Sequence, residues 1–180
     1  GHKRTEAEKL KRLIAGKLAA MVAVNASRMD LAEKFEALID AYNAGSQNIE
    51  AFFEELKTFA RALSEEDQRG IAEGLTEEEL ALFDILTKPE PVLTKAEEAE
   101  VKKVCRELLA TLKCEKLVLD WREKQQARAG VMQTLRAEMR RLPSPYTKDV
   151  RVEKLARAYA HVFDHYLGVG ANVGPERWPA

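Results

Sequence analysis

The sequence predicts an all-α fold, an irregular bundle of about seven helices. Three observations predict it. Apolar residues recur at helical spacing along most of the chain, two helix starts are written as capping boxes, and no segment sustains the alternation of a strand. Helix is expected to make up about 65–75% of the chain, well above the globular average.

The elements follow in order. Thr5 to Val24 forms an amphipathic helix with Leu10, Leu13, Ile14, Leu18, Met21 and Val22 on one side. Asn25-Ala26-Ser27 breaks it, and Asn25 or Ser27 can cap the next helix, which buries Leu31, Phe35, Leu38, Ile39 and Tyr42. Gly45 can take the left-handed conformation that ends it. Ser46 or Asn48 caps a third helix with Phe52, Leu56, Phe59 and Leu63 on its face; a pause at Ser64 and one or two further turns to Gly70 or Gly74 are expected.

Thr76 with Glu79, and Thr94 with Glu97, have capping-box spacing: the Thr oxygen accepts a free N–H of the first turn, and the Glu reaches back to the Thr N–H. The helix after Thr76, Glu77 to Leu86, is apolar around its circumference and should be buried on more than one side. Lys88-Pro89-Glu90-Pro91 separates it from a helix running from Lys95 to about Lys113. Val101, Val104, Cys105, Leu108, Leu109 and Leu112 line one face of that helix. At Leu117, Leu119 and Trp121 the apolar spacing becomes two, which a helix cannot place on one face, so a break is expected. Asp120 can cap a helix from Trp121 to Arg141, ended by Pro143-Ser144-Pro145. The last helix, Lys148 to Leu167, buries Leu155, Tyr159, Val162, Phe163 and Tyr166. The expected organisation is one domain over 3–167, with sub-lobes 3–74 and 75–167 as the finer division. A flexible tail is expected over 168–180, and Gly1-His2 reads as the scar of a removed tag.

The 180 residues are 46% hydrophobic, enough to bury a core, and no apolar run spans a bilayer or resembles a signal peptide. Cys105 reads as a core residue, and both thiols fit a reduced cytoplasmic setting. The net charge of −1 hides an asymmetry. Glu50 to Glu100 carries 15 acids and 5 bases, net −10, whereas Lys113 to Arg157 carries 12 bases and 6 acids, net +6. Either these stretches neutralise each other or are solvated, or the basic one meets phosphate or an acidic partner.

Catalytic signals are absent. Gly16-Lys17 is followed by Leu18 inside an amphipathic helix, so it is helix surface rather than a phosphate loop. No strand presents the paired acids and lysine of a metal-dependent nuclease. His161 and His165 have the spacing of a zinc pair around Asp164, but no third ligand is signalled, and covering an apolar face is the simpler reading. The best candidate contact surface is Trp121 with Arg122, Lys124, Arg128 and Arg136. Aromatic and Arg groups anchor interfaces and basic helices neutralise phosphates; the competing reading makes Trp121 core and the bases a solvated face.

The run LTEEELALFDILTKPEPVLTKAEEAEVKKV, with LVLDWREKQQARAGV after it, closely resembles the C-terminal helical region of the restriction (motor and nuclease) subunit of type I restriction enzymes. So do NASRMDLAEKFEALIDAYNAG, Asn25 to Gly45, and AYAHVFDHY, Ala158 to Tyr166; the blocks are collinear and span most of the chain. The resemblance implies a non-catalytic domain that docks the motor subunit onto the methyltransferase core, with methyltransferase and specificity subunits as partners. ATP and Mg would belong to lobes N-terminal to it, leaving this chain without a cofactor, cytoplasmic and monomeric when isolated. It further implies that Asn25, Arg28 and Asp30, which match the family's N-x-x-R-x-D pattern, form a structural corner. Rival readings are a DNA-contacting module using Arg122, Lys124, Arg128 and Arg136, an unrelated helical adaptor, and, more distantly, a histidine-based metal hydrolase.

Overall fold

The structure, a computed structural model, describes residues 1–168. It contains seven α-helices and no strand among the described residues, and is 80% helical. That exceeds the expected share because the first helix starts at His2 and the third runs unbroken through Ser64. The expected flexible tail lies, beyond Gly168, outside the described residues. Among the described residues the fold divides into two compact units, 1–74 and 75–168.

The first unit is a three-helix assembly of α1 (His2–Val24), α2 (Met29–Asn43) and α3 (Ile49–Glu73). Its core holds Ile14, Leu18 and Met21 of α1, Phe35 of α2, and Phe52, Leu56 and Leu63 of α3. Tyr42 stacks on Phe52 at 4.1 Å. Between α1 and α2 the chain turns through a short 3-10 segment, Ala26–Arg28. Asn25 is extended there, and its Oδ1 accepts the Ser27 N–H at 3.1 Å. Arg28 is buried; it donates from Nε to Glu66 at 3.1 Å and from a terminal nitrogen to the Met21 carbonyl, capping α1. Asn25 and Arg28 thus build the corner, while Asp30 stands exposed in the first turn of α2, where an acid meets the positive helix end. Asn48, not Ser46, caps α3 through the Ala51 N–H. Gly74 ends α3 at φ 70°, a left-handed conformation that suits glycine.

The second unit contains α4 (Glu77–Thr87), α5 (Lys95–Thr111), α6 (Gln125–Met139) and α7 (Lys148–His165). Both capping boxes form: Thr76 and Thr94 accept the N–H groups of Glu79 and Glu97 at 3.1 and 3.2 Å, and each Glu accepts the Thr N–H at 2.9 Å. As its all-round apolar pattern requires, α4 is the buried centre: Leu80, Ala81, Leu82, Phe83, Asp84 and Leu86 are all buried. The face of α5 predicted from spacing, Val101 to Leu112, is buried along its whole length, Cys105 included.

The break after α5 is where expected but differently built. The last turn widens into a π-helical segment, Leu112–Lys116, and Asp120 adopts a left-handed conformation at φ 56°. Asp120 gives no side-chain cap, and Trp121–Glu123 forms a 3-10 turn. The helix therefore starts at Gln125 instead of Trp121, because the turn is needed to swing the indole inward.

Candidate partner-binding surface on the second unit

Trp121 corrects the sequence-based expectation of a surface anchor. It is 0% exposed and is the largest fully buried side chain among the described residues. Tyr159 and Phe163 of α7 meet it edge-on at 6.3 and 5.8 Å, and its indole N–H donates to the Tyr166 carbonyl at 2.9 Å. Gly168, at φ 113°, lies so close to the Val118 carbonyl that a Cβ would collide with it, so the chain leaving α7 needs glycine here.

The basic residues after Trp121 separate into two groups. Arg122 lies over the Phe163 ring at 5.5 Å and donates to the Phe163 carbonyl at 3.1 Å. Arg128 donates to the Arg122 carbonyl at 2.6 Å, and Lys124 to the Leu119 carbonyl at 3.0 Å. These three fasten the turn to α6 and α7. Arg136 on α6 and Arg140 at its C-cap, one helical turn apart, are exposed, and among the described residues neither has an ion-pair or hydrogen-bond partner. The next residue, Arg141, is paired with both Glu107 and Glu138. Arg136 and Arg140 are therefore the α6 cations open to a partner.

A buried polar clamp escaped the sequence reading. Lys154 is fully buried and donates to the Lys88 carbonyl at 2.9 Å; Arg157 donates to the same oxygen at 2.9 Å. Tyr146 donates to the Leu86 carbonyl at 2.8 Å. The carbonyls ending α4 thus meet two cations and a phenol, which suits the negative end of a helix. Burial lowers the Lys154 ammonium pKa, with Arg157 adding to the effect, and burial raises that of the Tyr146 phenol. A signal was present: Lys154 stands four and eight residues before Ala158 and Val162, in line with the buried side of α7.

The His161 and His165 rings lie 4.3 Å apart, tilted by 30°, and His165 Nδ1 donates to the His161 carbonyl at 2.9 Å. Burial, then the neighbouring His165, pushes His161 down to a pKa of about 3. Tyr166 donates to Glu78 at 2.7 Å, and Lys113 holds the same carboxylate. Among the described residues no group of three or more His, Cys, Asp or Glu side chains is arranged to hold a metal ion. No helix among them is long and apolar enough to cross a membrane.

A family model described as the C-terminal part of type I restriction enzyme HindI endonuclease subunit-like proteins matches residues 1–166, nearly the whole chain. The chain belongs to this family. No curated protein and no solved structure matches it. The match covers residues of both units, so the corner at Arg28 and the clamp at Lys154 both lie within the stretch the family model describes.

Proposed function

We propose that this chain is the non-catalytic assembly domain of a type I restriction subunit, docking the motor and nuclease lobes onto the methyltransferase core during restriction of foreign DNA. The observation that carries the reading is the family match to the C-terminal part of an endonuclease subunit over residues 1–166. Arg136 and Arg140, exposed and without a partner among the described residues, support it, since Arg is enriched where proteins meet. Methyltransferase and specificity subunits are the partners, the setting is cytoplasmic, and ATP and Mg serve lobes outside this chain.

The same two arginines are the observation favouring a DNA-backbone contact, the second reading. The near-neutral balance of residues 75–168, 17 bases against 16 acids, weighs against it. Deleting residues 1–180 from the full subunit is expected to abolish assembly with the methyltransferase core, read by pull-down, while ATP hydrolysis by the motor lobes survives. Normal assembly of the deleted subunit overturns the proposal.

A further inference from the structure

Six exposed residues of α6 and its C-cap, Gln126, Ala129, Gln133, Arg136, Ala137 and Arg140, occupy one side of the helix, and none is acidic. Their helical angles fall within about a third of a turn. The acid nearest in sequence, Glu138, lies on another side and is taken by Arg141. Two alanines let a neighbouring surface approach closely, and two glutamines, Gln126 and Gln133, add amide groups that can donate and accept. At the start of the helix, the bond from Lys124 to the Leu119 carbonyl holds Leu119, 61% exposed, beside this element.

We propose that this face docks an acidic protein surface, with Arg136 and Arg140 each taking a carboxylate; the proposal rests on the assembly reading above and names the docking element and its partner's chemistry. Charge complementarity carries the assignment. A guanidinium with five donors and no partner among the described residues is completed by a carboxylate, held bidentate. The match is to a protein rather than to a polyanion for three reasons. Only two cations without a partner among the described residues stand on the face, the unit around them is close to neutral, and exposed alanines accompany them. A phosphate backbone would be met by a denser basic stripe.

The test uses the full restriction subunit carrying Arg136→Glu and Arg140→Glu together, assembled with the methyltransferase core at physiological salt. Binding is expected to weaken at least about tenfold, as for oppositely charged pairs turned repulsive. Arg136→Lys with Arg140→Lys is expected to bind with intermediate strength, since charge remains and the fork is lost. Melting temperature is the folding control, and Arg136→Gln with Arg140→Gln replaces the reversal if that variant melts early. Unchanged assembly by the folded variants overturns the inference. So does loss of binding to a 30-base-pair duplex with assembly intact, which assigns the face to nucleic acid. If the domain deletion abolishes assembly while these variants are silent, the assembly reading stands and this face is the wrong one; if the deletion itself is silent, the assembly reading falls first.

Discussion

The two units are held together in different ways. The three helices of the first unit meet along amphipathic faces, and many of its apolar residues, Leu10, Val22, Leu31, Leu38 and Phe53 among them, are only partly buried. Its one deeply placed charge, Arg28, answers a local need, the end of α1 and the carboxylate of Glu66. The second unit buries a larger continuous core and then adds long-range bonds from side chains to main-chain carbonyls: Trp121 to Tyr166, Tyr146 to Leu86, Lys154 and Arg157 to Lys88. Periodicity specifies most of the first arrangement, with Arg28 as its one specific buried bond set. The second needs particular atoms at particular distances, so it should tolerate substitution less well.

Trp121→Ala is the most severe way to break the contrast. It removes a fully buried indole and leaves the Tyr166 carbonyl without its donor, so a loss of about 3–5 kcal/mol in urea unfolding is expected. Amide exchange should rise mainly in α4–α7. Equal acceleration in α1–α3 would mean that the two units do not differ in this way.

Acid sharpens the contrast. His161 has a folded pKa of about 3 against an ordinary value of 6.5, so the unfolded chain binds the extra proton between those limits and stability falls as pH drops through them. At pH 5 the loss from this residue should be about 2 kcal/mol relative to pH 7. In the first unit, burial tends to raise the Glu66 pKa, but Arg69 and Arg28 outweigh it and hold the carboxyl below its ordinary 4.5. Its stabilisation is present above that ordinary value and fades only as pH falls further, through the folded pKa. Melting curves from pH 7 to pH 5 should therefore decline through the second unit, and His161→Leu should flatten the decline. An unaltered slope in that variant would remove His161 as the cause.

The smallest effect compares two glycines. Gly16 in α1 and Gly130 in α6 are both inside helices, and a Cβ at either would meet nothing within 4 Å. Each change to Ala should stabilise by about 0.5–1 kcal/mol, read as a higher urea midpoint. A destabilising Gly130→Ala would show that the tighter second unit resists even an added methyl on its partly exposed helix.

Much of this architecture was legible in the sequence. The capping boxes, the face of α5, the all-round burial of α4 and the interruption near Leu117 all depend on spacings within one or two turns. What was not legible depends on partners far away in sequence. Trp121 with Arg122 and Lys124 reads as an amphipathic interface when only its neighbours are considered. The indole is drawn inward by a carbonyl 45 residues on, and Arg122 by one 41 residues on. Ser64 failed to interrupt α3 because packing at Leu63 and Leu56 outweighs the modest helix preference of one exposed serine. Of the proposed contact residues, Arg136 alone is both exposed and without a partner among the described residues.

The clamp on the end of α4 has a consequence for the order of events as the chain emerges from a ribosome. The Lys88 carbonyl receives its donors 66 and 69 residues later, and the Trp121 indole its acceptor 45 residues later. The first unit can close while the rest is still being made, its Arg28–Glu66 contact spanning only 38 residues. The helices from α4 to α6 must wait with apolar surface exposed until α7 arrives, an interval of seconds at ordinary elongation rates of about 5–20 residues per second. A chain stopped before Tyr166 would retain most of the helices while lacking the bonds that fix them, and would be a natural target for chaperones and proteases.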